Sequence, residues 1–362
     1  MKNKLFLFLF LLFLTNIPAQ KSYSKYLEAA NLAAQKSNSD KFNENINLFK
    51  AAIDKEKVST QNISKQDGEI LSRALNFAII NKLDISKELS SLLLEFLNAD
   101  IDIVRNKVSL AFLYQKGDIV AKDIERAITL FKEADKKGHS AAAFCLGYVY
   151  HYEKKDLNQA RNWYLIAAYE NHDKNAMLPL AMLYADNTVP FFDYKKSVLW
   201  IRKLLEVDPN NADAALHFGN LYESGFGVEQ NYSIAKYWYE KSAANGNKLA
   251  NTFLGILYFI GKGVSQNYDK AMEYYFKASQ LNEPYAMHLL AHSYEKGTGV
   301  EQDISKAIYW YQKAVALNYL DSKNSLGTLY FKINRKSEAK LLFQDACNQG
   351  NKTACYNLDI VK

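Results

Sequence analysis

Proline is scarce in this 362-residue chain, at five residues, and cysteine scarcer still, at three. Few prolines alongside 25 tyrosines suit packed helices, since an internal proline removes a helix hydrogen bond. There is no G-x4-G-K-[ST] phosphate cradle, no G-x-S-x-G elbow and no H-E-x-x-H pair, so the chemistries tied to those motifs are excluded. No run of basic residues interleaves with aromatics. The net charge of +6 is a small difference between 45 basic and 39 acidic side chains, a solvated surface and not a nucleic-acid footprint. Beyond the N-terminus, no stretch is long and apolar enough to cross a bilayer.

What the chain does have is a period. Gly219, Gly255 and Ala291 stand 36 residues apart, and so do Tyr222, Tyr258 and Tyr294. The same step links Gly225, Gly261 and Gly297, then Gly227, Gly263 and Gly299, then Ala235, Ala271 and Ala307. A fixed step of this size means one supersecondary unit stacked on copies of itself. The regular part covers residues 212–318.

One unit can be built from residues 249–281. Ala250, Leu254, Leu257 and Tyr258 fall at the spacing of an amphipathic helix. That helix should stop at Gly261, because glycine adopts the left-handed terminal conformation without steric cost. Val264 is expected to turn back into the core. Asn267 reads as the N-cap of a second helix, and equivalent caps recur at Asp123, Asp156, Asn231 and Asp303, each four residues before an alanine. The second helix should carry Ala271, Tyr274, Tyr275 and Ala278 inward.

The pattern A–x3–L–G–x2–Y–x2–G–x–G–V, then D/N–x3–A–x2–W/Y–Y–x–K–A/S–A, resembles the Sel-1-like repeat, a relative of the tetratricopeptide repeat. Leu254, Gly255, Tyr258, Gly261, Gly263, Val264, Asn267, Ala271, Tyr274 and Tyr275 carry the match. The resemblance implies an all-α fold, an α/α right-handed solenoid of stacked helix pairs. It also implies an adaptor for protein assembly with no chemistry of its own and no cofactor. By analogy with tetratricopeptide packing, positions −3, +1 and +4 from the Gly/Ala face the concave side. These are Leu216, Asn220 and Glu223; Thr252, Ile256 and Phe259; and His288, His292 and Glu295. Their mixture of polar and apolar character is what a groove for a protein or peptide client needs.

Lys2 and Lys4 precede residues 5–14, a run of leucine and phenylalanine only, and then Pro18, Ala19 and Gln20. This reads as a cleavable secretory signal over residues 1–20, since ten apolar residues fall short of the roughly 20 that span a bilayer. The rival is an uncleaved anchor helix. Cleavage would lower the net charge from +6 to +4 and leave a secreted or periplasmic protein without stable membrane insertion. Residues 21–100 keep a helical rhythm without the signature and are expected to cap the solenoid. Residues 101–346 are expected to hold about six units and residues 347–362 a capping helix. Pro179 is expected to kink the first helix of the most divergent unit.

Three chemical alternatives stay in view. Cys347 and Cys355 have the spacing at which cysteine-rich secreted relatives staple their repeats, which implies a disulfide; the alternative is two buried thiols. Some of those relatives are described as β-lactamases, and Ser22 with Lys25 and Ser233 with Lys236 have a serine–lysine spacing, though the partner motifs are missing. His288 and His292, one turn apart with Glu295 near, could share a zinc ion in a metal-dependent binding module.

Overall fold

The computed structural model describes residues 104–361 apart from 118 and 119, together with five isolated positions before Val104. The expected signal peptide, and the N-terminal cap apart from those five positions, lie outside the described residues. So does the Ser22–Lys25 pair.

Among the described residues the chain is all-helical. It divides into two compact units at Ala176 and Met177. The first holds α1 (Val104–Lys116) with α2 (Ile124–Lys136), then α3 (Ala142–Tyr148) with α4 (Leu157–Tyr169). The second holds five pairs: α5 (Met177–Ala185) with α6 (Tyr194–Val207), α7 (Ala212–Ser224) with α8 (Tyr232–Ala244), α9 (Lys248–Ile260) with α10 (Tyr268–Gln280), α11 (Pro284–Lys296) with α12 (Ile304–Ala316), and α13 (Leu320–Lys332) with α14 (Lys336–Asn348). A last helix, α15 (Lys352–Val361), packs on α14. Within each unit, every first helix packs on its pair-mate and the second helix of each pair packs on the first helix of the next, the arrangement of a solenoid.

The second helices start where their caps dictate. The side chains of Asp123, Asp156, Asn231, Asn267 and Asp303 each accept a hydrogen bond from the backbone N–H three residues on. Each such cap contributes about 1 kcal/mol. Asp193 does the same for α6. It escapes the sequence pattern because the residue four on is the buried Ser197 instead of an alanine.

Pairs close around a small residue. A Cβ added to Gly219 would lie 2.5 Å from the Tyr239 ring, and one added to Gly255 would lie 2.5 Å from the Tyr275 ring. Glycine on the first helix therefore admits an aromatic ring from the second, burying a side chain worth about 1.5–3 kcal/mol. In the second unit Tyr239, Tyr275, Tyr311 and Phe343 are the buried members of this column. Tyr274, also expected inside, is half-buried and stacks on Tyr258 at 5.7 Å.

The connectors follow the same economy. Gly261 ends α9 in the left-handed conformation, with φ 72°. Two residues later, a Cβ on Gly263 would stand 2.6 Å from Tyr232 Cβ at the start of the preceding pair's second helix. That contact holds the connector at the surface, and Val228, Val264 and Val300 are only half-buried, not in the core as expected.

Departures occur where the glycine connector is missing. α3 is only seven residues long and runs into a π-helical turn, Val149–Glu153, before Lys155 takes the positive φ. Pro179 does not kink a helix. It lies in the first turn of α5, after a 3-10 turn at Lys174–Ala176, where its absent N–H has no helical partner to lose. Cys347 and Cys355 form a disulfide that ties α14 to α15, with Cα atoms 4.7 Å apart, and Cys145 is a buried free thiol.

Candidate binding face

The nine candidate residues sit on α7, α9 and α11 in three rows, and the rows differ in kind. The −3 row is an internal seam. Leu216 is 6% exposed and packs with Ala250 and Leu254 of the next pair, and Thr252 is fully buried. His288 lies between the rings of Tyr311 and Tyr319, at 5.4 and 5.6 Å, with Nδ1 2.9 Å from Ser322 Oγ. Leu216 and His288 are taken up by the following pair and Thr252 is closed off from solvent, a correction to the open face inferred by analogy. A side chain one turn before the glycine points along the stack, toward the residue 34 positions on.

The +1 row remains open. Asn220 and Ile256 are half-buried and His292 is exposed. Thr328, on α13, continues the row and was legible from the Leu326-Gly327 frame, though it was not singled out. The +4 row borders it. Phe259 is half-buried and packs edge-on against Tyr268 at 5.1 Å. Phe331 on α13 extends this row and is exposed.

The two carboxylates of that row are anchored. The Tyr239 hydroxyl, with one proton to donate, lies between the Glu223 carboxylate and Asn220 Oδ1, the latter at 2.7 Å. Tyr311 donates to Glu295 at 3.1 Å, and Lys332 Nζ lies 2.8 Å from the same carboxylate. Burial alone would raise the Glu295 pKa, but Lys332 and the Tyr311 hydroxyl bring it below the usual carboxylate range. Burial raises the pKa values of Tyr239 and Tyr311, and the adjacent carboxylates raise them further. Glu223 and Glu295 thus fix the aromatic column and frame the open row with fixed negative charge.

The chemical alternatives meet committed side chains. His288 Nδ1 is engaged by Ser322, and no group of three His, Cys, Asp or Glu among the described residues could hold a metal ion. Lys236 is ion-paired to Glu240 at 2.7 Å, which raises its pKa, whereas a lysine base needs to be neutral. Ser233 Oγ contacts the Gly263 carbonyl at 3.4 Å, a bond between pairs.

The Sel1 repeat family matches residues 108–139, 140–172, 212–247, 248–283 and 284–319. The chain carries five Sel1 repeats. The pairs α5/α6 and α13/α14 fall outside the matched spans but pack in the same way. A Sel1 repeat protein from Oxalobacter formigenes is similar in fold, with a TM-score of 0.67 and 23% identity, over 86% of this chain and 91% of that one. A protective antigen of uropathogenic Escherichia coli with an SLR fold is similar at TM-score 0.57 and 25% identity, over 76% of this chain and 59% of the other. Among curated proteins, the chitin synthase regulator SKT5 of Saccharomyces cerevisiae is 30% identical over 147 residues, 39% of this chain and 21% of that protein. The SKT5 of Malassezia restricta is 29% identical over 154 residues, 40% of this chain and 10% of that protein. The chain therefore spans about a fifth or less of the curated relatives it matches. Among the described residues, no helix is long and apolar enough to cross a membrane.

Proposed function

We propose that this Sel1 repeat scaffold is a secreted or periplasmic adaptor, without catalysis of its own, that holds a protein or peptide client along the concave side of its first helices. Ile256, Phe259, His292, Thr328 and Phe331 make the contact surface, and Asn220, Glu223 and Glu295 frame it. The observation that carries the reading is the open +1 row on consecutive first helices, whose carboxylate neighbours are already fixed by Tyr239 and Tyr311. A row of preset polar groups around apolar side chains loses little entropy on binding an extended peptide. The curated relatives, named as regulators of an enzyme, support action through a partner. Export rests on Lys2, Lys4 and the apolar run at residues 5–14.

The test is affinity capture from the producing cell's envelope and culture fluid with wild type beside an Ile256→Asp/Phe331→Asp variant whose circular dichroism matches wild type. A client lost by the variant supports the reading. Equal capture by both proteins refutes this face, and sustained turnover of a chromogenic β-lactam refutes the absence of catalysis. N-terminal sequencing of the exported protein should begin near Lys21; an intact Met1 in the cytoplasm refutes export.

A further inference from the structure

The second helices carry a pattern that a client on the first helices leaves unused. Their outermost positions in the second compact unit are Leu199, Tyr237, Glu273, Tyr309 and Leu341, one on each of α6, α8, α10, α12 and α14. The four apolar members are 46%, 53%, 50% and 71% exposed in chain order. One turn further on stand Lys203, Lys241, Lys277, Lys313 and Asp345. Lys203 lies over the Trp200 ring at 4.7 Å, Lys241 over Trp238 at 5.2 Å and Lys313 over Tyr309 at 5.5 Å. These three ammonium groups thus lie over aromatic rings of their own helices, one turn from the apolar row.

Charge is distributed unevenly between the two sets of helices. The second helices α6, α8, α10, α12 and α14 hold twelve Lys or Arg against six Asp or Glu. The first helices α5, α7, α9, α11 and α13, with α15, hold five of each sign. The cationic excess of this unit's helices therefore lies on the second helices, the set that carries the apolar row.

We propose that this face docks on an anionic lipid surface, with Leu199, Tyr237, Tyr309 and Leu341 at headgroup level and Lys203, Lys241, Lys277 and Lys313 against the phosphates. The arrangement favours a bilayer over an acidic peptide on two counts. The lysines stand singly on separate helices, so they meet a smeared negative charge and not a convergent pocket. The apolar groups are the outermost row, as in interfacial helices, whereas peptide recognition needs a groove. Among the described residues no helix is long and apolar enough to cross a membrane, and the docking proposed is that of a surface laid on the headgroups. It does not depend on the client reading, which concerns the other row of helices.

The test is sedimentation of the protein, as purified from expressing cells, with vesicles of phosphatidylcholine alone or with 30% phosphatidylglycerol. The variants are Lys203→Gln/Lys241→Gln/Lys277→Gln/Lys313→Gln and Tyr237→Ser/Tyr309→Ser. All share the same N-terminus, so any contribution from it cancels. Wild type should bind the anionic vesicles up to about a thousandfold more tightly than the neutral ones, and the four-lysine variant should lose most of that preference. Raising salt from 0.1 to 0.5 M should release the wild type, and the tyrosine variant should bind more weakly at every salt concentration. Equal binding of wild type and lysine variant overturns the proposal, as does binding indifferent to phosphatidylglycerol. Capture by soluble polyglutamate without vesicle binding reassigns the row to an acidic chain and also overturns it.

Discussion

Replacing Gly219 by alanine probes how tightly a pair is closed. The added Cβ would lie 2.5 and 2.6 Å from Tyr239 Cε1 and Cδ1. Restoring ordinary van der Waals contact requires the ring to retreat by about 0.9 Å. Tyr239 is not free to do so, because its hydroxyl bonds Asn220 at 2.7 Å and Glu223. A retreat of that size breaks the first bond, since a separation near ~3.6 Å is no longer a hydrogen bond. Overpacking costs about 1–3 kcal/mol, and the lost bond about 1 kcal/mol more. The gain in helix propensity from glycine to alanine returns about 1 kcal/mol. The net expectation is a loss of about 1–3 kcal/mol, read as a lower urea midpoint by far-UV circular dichroism. Gly255→Ala should cost about 1 kcal/mol less, because Tyr275 faces Ile256 and Phe259, which accept no hydrogen bond. Nature's own version is Ala291, where Tyr311 makes a longer bond of 3.1 Å to Glu295. In a Tyr239→Phe background the Gly219→Ala penalty should shrink. If Gly219→Ala matches wild type, or costs the same with and without the Tyr239 hydroxyl, the ring is not held as described.

Burial lowers the pKa of His288 below its usual 6.5, His292 adds to this, and Asp321 and Glu295 oppose it. Below pH 6.5 the unfolded chain takes up a proton that the folded chain resists, so stability should fall as pH drops through the lowered folded value. His288→Leu, the residue type found at Leu216, should flatten that slope between pH 6.5 and 4.5 in thermal melts; an unchanged slope refutes the assignment. Thr252 Oγ1 is buried without a hydrogen-bond partner. Thr252→Val keeps the shape and removes the orphan, and should stabilise by about 1 kcal/mol in urea titrations; destabilisation would reveal an unseen partner. Reducing Cys347–Cys355, which closes an eight-residue separation, should cost α15 about 2.5 kcal/mol. Hydrogen exchange should then quicken in Lys352–Val361 and remain slow in α7–α12; unchanged exchange in α15 would show that packing alone secures it.

Much of the fold was legible because its causes are local. An N-cap needs one short polar side chain, and the left-handed helix end needs one glycine, so Asn267 and Gly261 can be read without knowing their neighbours. The aromatic column was legible as a column, but not which of Tyr274 and Tyr275 lies inside. That choice depends on the rotation of α10 against Gly255, a tertiary quantity. The binding face was half legible. The +1 positions stay at least partly exposed, whereas Leu216 and Thr252 are buried and His288 bonds the next pair, because pair-to-pair rotation decides which side of a first helix is covered. The carboxylates Glu223 and Glu295 looked like ligand groups in one dimension. Only the hydroxyls of Tyr239 and Tyr311, 16 residues on, show what they are for.

The contact of Gly263 with Tyr232, repeated by Gly299 with Tyr268 and by Gly227 with Tyr194, makes each repeat a gauge for the one before it. A connector longer or shorter by one residue would swing the glycine off that helix start, so within these units length changes are penalised at once. A whole-unit duplication is not. A second copy of residues 248–283 inserted in frame would bring its own glycine to the right place, its own Asn267 to cap its second helix and Glu283 to cap the helix that follows. Such a chain can lengthen by tandem copying of its genetic cassette but resists lengthening by drift. At α3/α4 and α5/α6, where the gauge glycine is missing, a single-residue insertion or deletion should cost less.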